Sequence, residues 1–137
     1  MNFENKLVAL VNKDIDVGVA MNAIAHMTLG LGNAVDRKLL QLDSYTDQND
    51  NLYPNISKMP FIVLRGKSNE IRKAVQAARE SSMHYGAFIH TMTGGSYVEQ
   101  IENTRNTPED SLLYYGAVLF GPWDSVSAIT KRFSLYR

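Results

Sequence analysis

The residues of this chain best equipped for chemistry are an amide and an imidazole four positions apart. Asn22 and His26 sit inside DVGVAMNAIAHMTLGLGNA, residues 16–34, an otherwise largely apolar stretch. At about 100° per helical residue, His26 lies about 40° from Asn22, and Asn33 about 20° from it. Gly18 falls one turn before this line and Gly30 one turn after His26, while Met21, Ile24, Met27 and Leu31 take the other faces. An imidazole takes or gives a proton near neutral pH, and an amide both donates and accepts hydrogen bonds. Burying such groups unpaired costs about 1–3 kcal/mol, so in a buried helix something must pair with them. Two partners fit. One is neighbouring main chain, which makes the pair structural. The other is a ligand in a pocket at the N-terminal half of the helix, with His26 as the candidate acid, base or donor. The acids nearest in the chain are Asp14, in the turn before the helix, and Asp16, which reads as a turn residue.

A second group is His90-Thr91-Met92-Thr93-Gly94-Gly95-Ser96. A Gly-rich loop leading into a helix can cradle an anion on its backbone N–H groups. The same residues describe an ordinary loop closed by a serine cap. Asp14, Asn22, His26, His90 and Thr91 are therefore the candidate ligand-binding set. The histidines at 26, 84 and 90 lack H-x-x-x-H spacing and the chain has no cysteine, so no metal site is expected. There is no G-x-S-x-G nucleophile elbow and no P-loop, and Gly30-Leu31-Gly32 comes late in a helix rather than between strand and helix. No cofactor is expected.

These groups need a scaffold. Leu7–Val11 is a short apolar run that reads as a buried strand, followed by a helix over about residues 18–32. Residues 44–58 (SYTDQNDNLYPNISK) read as a polar loop or a small hairpin turning at 49–51. Pro60–Arg65 is a second core strand. Ser68 then caps a helix over 69–82, whose Ile71, Ala74, Val75 and Ala78 recur at helical spacing. His84–Met92 is the third strand, with a short helix over 96–104 after it. Thr107-Pro108-Glu109-Asp110 carries the signals of a helix start: cap, proline, then acids. Leu113–Phe120 is a fourth strand ended by Gly121-Pro122, then a helix spans 123–131 and 133–136 is a terminal strand. This alternation predicts a three-layer α/β/α sandwich with a mixed sheet of four or five strands. In such sheets ligands bind outside the carboxyl ends of strands, here Asn12–Asp14, Arg65–Ser68, His90–Gly95 and Phe120–Trp123. Trp123 reads either as packing at that rim or as an interface residue.

The chain has 137 residues, which fits a single domain over 1–137. Apolar residues make up 45% and charged residues 20%, the balance of a soluble protein. Lys plus Arg and Asp plus Glu each number 14, so the charge is balanced and nucleic acid is not the expected partner. The apolar run near the N-terminus is too short for a signal peptide or a membrane span, and a cytoplasmic, non-membrane protein is expected.

LVALVNKDIDVGVAMNAIAHMTLGLG, PFIVLRGKSNEIRKAVQAARES and YYGAVLFGPWDSVSAITKRFSLYR together resemble type 2 peptidyl-tRNA hydrolases. The chain more closely resembles the domain-of-unknown-function family 2000, through N-x-x-A-H at Asn22–His26 and G-x-x-L-F-G-P at Gly116–Pro122. The resemblance implies the hydrolase fold but not its activity. Val19 and Met21 stand where that family has lysines, Ala25 and Thr28 where it has Gln and His, and Thr91 where it has Asp; only Gly18 is kept. Neither Val nor Met can offer a charge to a phosphate or an ester carbonyl, so peptidyl-tRNA hydrolysis is not expected. The sequence reveals no reaction. It is read as a protein that binds a small-molecule ligand at the sheet rim. The alternatives are a noncatalytic homodimer joined through its first helix or Trp123, and a residual tRNA-linked hydrolase.

Overall fold

The computed structural model describes residues 3–137. The central strand is β1 (Asn5–Asn12), whose Val8, Ala9 and Leu10 have no solvent exposure. It pairs in parallel with β4 (Phe61–Gly66) on one side and antiparallel with β6 (Tyr114–Pro122) on the other. Beyond β6 lies β5 (His84–Ile89), and beyond β4 the two-residue β7 (Ser134–Leu135), giving the order β5-β6-β1-β4-β7. The five-stranded mixed sheet agrees with the expected fold class.

Strand alternation divides the core in two. Leu7 and Ala9 of β1, with Val118 and Phe120 of β6, face Ala23, Met27 and Leu31 of α1 (Val17–Ala34). Val8 and Leu10, with Ala117 and Leu119, face Ile71, Ala74, Val75 and Ala78 of α2 (Ser68–Glu80) and Val126 of α4 (Trp123–Thr130). Three layers result. At Gly116 a Cβ would come within 2.8 Å of the Leu10 carbonyl oxygen and 2.9 Å of Met27 Cε. The residue without a side chain thus lets α1 close onto the sheet.

The structure departs from the sequence reading in several places. α1 is buried on one face only, through Ala20, Ala23, Met27 and Leu31, so its polar line is not enclosed. Because β6 runs antiparallel to β1, Phe120–Trp123 lies at the opposite edge of the sheet from Asn12–Asp14. There Lys6 Nζ sits 4.9 Å above the Trp123 ring and donates to Ser127 Oγ at 3.0 Å. Of the two readings of residues 44–58, loop or small hairpin, the structure shows the hairpin, and its strands begin earlier, at Leu42. β2 (Leu42–Thr46) and β3 (Leu52–Ser57) form their own two-stranded sheet. Ser68 does not cap α2; its Oγ accepts from Tyr114 N, while Glu70 accepts from Lys67 N at the helix start. The third strand stops at Ile89, where residues 90–92 coil into a 3₁₀ turn. Pro108 leads into only three residues of 3₁₀ helix, Glu109–Ser111. The Ser96 cap is real: its Oγ accepts from Glu99 N and Glu99 accepts from Ser96 N, opening α3 (Tyr97–Arg105). No helix of the described residues is long and apolar enough to cross a membrane.

Candidate functional site

The carboxyl ends of β1, β4 and β5 share one edge of the sheet, since β1 and β4 are parallel and β5 runs antiparallel to β6, itself antiparallel to β1. On the β5 side the chain opens a cleft of about 1220 Å³. One wall is α1, presenting Asn22, His26 and Gly30 above Met27 and Leu31. The floor is β5, from Tyr85 to Phe88. The far wall is α3, with Tyr97, Gln100, Ile101, Thr104 and Arg105, and the turn before it, Met92–Gly94.

Asn22 and His26 are exposed into this cleft, and no hydrogen bond among the described residues engages either side chain. The His26 ring rests on Phe88, centroids 5.9 Å apart, and Phe88 stacks on Tyr115 at 6.3 Å. The imidazole is thereby backed by aromatic surface with its nitrogens unclaimed. A Cβ on Gly30 would meet nothing within 4 Å. Internal packing therefore does not require this glycine, which costs the helix about 1 kcal/mol against alanine; its effect is to widen the cleft. No lining residue is an acid, and Arg105 and His26 are the side chains there able to carry positive charge.

The 3₁₀ turn and α3 are held by the other predicted residues. His90 Nδ1 accepts from Leu113 N at 2.9 Å, which leaves the ring proton on Nε2. The His90 carbonyl accepts from Thr93 Oγ1. Thr91 is buried, and its hydroxyl shares a 2.7 Å hydrogen bond with Thr104 Oγ1 on α3. Gln100 Nε2 donates to the Gly94 carbonyl at 3.0 Å. His90 and Thr91 thus position the far wall and do not line the cleft. Asp14 lies apart from it, in a second, polar hollow of about 500 Å³ with Lys13, Arg65, Glu70 and Arg132. On the floor, Tyr85 Oη accepts from Arg79 Nε, and Arg79 pairs with Glu109 at 3.1 Å. Among the described residues no three His, Asp or Glu side chains gather as a metal ion would need.

Residues 5–137 match the model of the family described as Protein of unknown function (DUF2000). The chain belongs to that family. A solved structure of a protein of unknown function from Agrobacterium tumefaciens strain C58 is similar in fold, with a TM-score of 0.86 at 21% identity over 99% of this chain and 100% of that one. Comparison with curated proteins gave no match. In this DUF2000 chain, sequence reasoning missed the α3 contribution, Tyr97, Gln100, Ile101 and Arg105. Their signal was a short capped helix whose apolar residues have no evident core to join.

Proposed function

We propose that the chain is a ligand-binding protein whose ligand occupies the cleft between α1 and α3. The observation that carries this is the pair Asn22 and His26, unengaged by the protein and facing an apolar hollow that Gly30 keeps open. Convergent polar groups in an apolar cavity are the usual form of such a site. The lining suits a ligand with an apolar body and an anionic group, the latter met by Arg105 and His26. Peptidyl-tRNA hydrolysis forms no part of this reading. The positions that the resemblance to type 2 hydrolases assigns to lysines hold Val19 and Met21, whose side chains are apolar and exposed.

The test uses 1-anilinonaphthalene-8-sulfonate, an aromatic body bearing one anion, followed by amide chemical shifts of the labelled protein. Shifts are expected in residues 22–31 and 85–105. Gly30→Phe, which fills the cleft from a position with room for a side chain, is expected to weaken binding about tenfold or more without loss of folded signal. Equal binding to the Gly30→Phe protein, or shifts elsewhere, would overturn the proposal.

A second reading, self-association, is favoured by one observation. The hairpin β2–β3 exposes Tyr45, Leu52, Tyr53 and Ile56, all more than half accessible to solvent. The hairpin is thereby a surface for a second copy beside the first helix, which exposes Val17, Met21 and Leu29.

A further inference from the structure

On the reading of the cleft as a ligand site, we infer that its occupant is a short extended peptide that pairs with the free edge of β5 as a sixth strand. The first observation is which residues form the floor. Tyr85, Gly86, Ala87 and Phe88 are consecutive, and all four line the cleft. Consecutive side chains of a strand point to opposite faces. Tyr85 and Ala87 pack on the α2 side of the sheet, and Phe88 on the α1 side. What the four share is the strand's outer edge, so the main chain itself faces the cleft.

That edge is unclaimed. β5 pairs with β6 alone, and no hydrogen bond from the described residues reaches the outer N–H and C=O groups of Tyr85–Phe88. Open edges are usually blunted by a lysine, a proline or a bulge. HYGAF, residues 84–88, has no lysine and no proline, and its register with β6 runs unbroken from His84 to Phe88, the irregularity in the pairing falling after it, between Phe88 and Ile89. α3 stands opposite but buries no residue, and hydrogen bonds to the preceding turn hold it. The gap is large. At about 1220 Å³ it exceeds the roughly 300–1,000 Å³ of small-molecule sites.

The walls fit the alternation of a guest strand. Side chains on one side of the guest would meet Met27, Leu31 and His26, and those on the other would meet Tyr97 and Ile101. Met92, Tyr97 and Ile101 are exposed apolar groups that such side chains would cover. With Arg105 and His26 in the lining and no acid there, the guest carries a carboxylate rather than a lysine. Main-chain pairing supplies affinity in this mode and alternate side chains supply selectivity.

The experiment titrates the intact chain with a panel of N-acetylated hexapeptides that alternate Leu, Val or Phe with Thr and end in a free carboxylate. Amide shifts of Tyr85–Phe88 report the site. The tightest peptide is then N-methylated one position at a time. Methylation at every second residue is expected to raise Kd about tenfold or more, and at the intervening residues less than about twofold. Capping the carboxylate as an amide is expected to weaken binding as well. A methylation profile with no period of two would overturn the inference, as would β5 amides that respond to protein concentration alone, which would place a second copy on the edge. If anilinonaphthalene sulfonate binds the cleft and no peptide does, strand addition falls while the ligand site stands. If neither binds, both fall.

Discussion

At the scale of single residues, the polar groups separate into those that hold the site and those that face it. Helical arithmetic was enough to put Asn22, His26 and Gly30 on one line of α1. It could not say what stands against that line, because a period records which residues share a face and not what covers the face. The question of why an enclosed helix carries an imidazole dissolves: the line is open to a cleft. His26→Ala is expected to weaken binding of anilinonaphthalene sulfonate about three- to tenfold, the worth of one hydrogen bond. Unfolding free energy should change by no more than about 0.5 kcal/mol, since the residue is exposed. Calorimetric titration and urea denaturation measure the two. Thr91→Val should behave in the opposite sense. It removes the hydroxyl that meets Thr104, so amide exchange across residues 97–105 should quicken by the equivalent of about 0.5–1.5 kcal/mol. Both His90 and Thr91 were visible in the sequence as polar residues near a Gly-Gly turn. That they serve as fasteners depends on Leu113 and Thr104, which are distant in the chain or on another element.

At the scale of elements, the hairpin shows how a segment with almost no buried surface is kept in shape. Asp47 accepts hydrogen bonds from Asn49 N, Asn51 N, Asn51 Nδ2 and Tyr53 Oη. These donors, the Tyr53 hydroxyl foremost, hold the Asp47 carboxyl down to about 2 from its ordinary 3.8. The hydrogen bond that Tyr53 donates to Asp47 raises its phenol above the usual range. A lowered carboxylate pKa means that the contribution of Asp47 to hairpin order is complete above pH 3.8 and is lost as pH falls through about 2. The side-chain carboxyl carbon shift of Asp47 followed from pH 7 to 1.5 should therefore stay flat until well below the usual carboxylate range. Asp47→Ala should broaden the Tyr53 resonances at every pH. The turn chemistry of TDQNDN was legible as a turn. The paired strands around it stood only as one of two readings, hairpin or loop, because their residues are polar or exposed and show no half-buried alternation.

At the scale of the whole molecule, a chain that carries a projecting hairpin with four exposed apolar or aromatic side chains is expected to self-associate. Sedimentation should show the mass rise with concentration from 15.4 kDa towards twice that value, and Leu52→Asp combined with Ile56→Asp should hold it at the monomer. A mass that stays at 15.4 kDa at every concentration would remove the homodimer reading. The sequence alone determined much of the scaffold: the apolar runs of β1, β4 and β6, the amphipathic stripe of α2, the serine cap of α3 and the alternation of strands with helices. Each of these is a local pattern whose period of 2 or 3.6 residues is set by backbone geometry. The tertiary structure decided what the patterns could not carry. It ran β6 against β1, which sent Trp123 to the far edge, and it placed β5 outermost with α3 standing off beside it. Strand order and direction arise from pairing between residues far apart in the chain, and the cleft exists only where those pairings leave an edge uncovered.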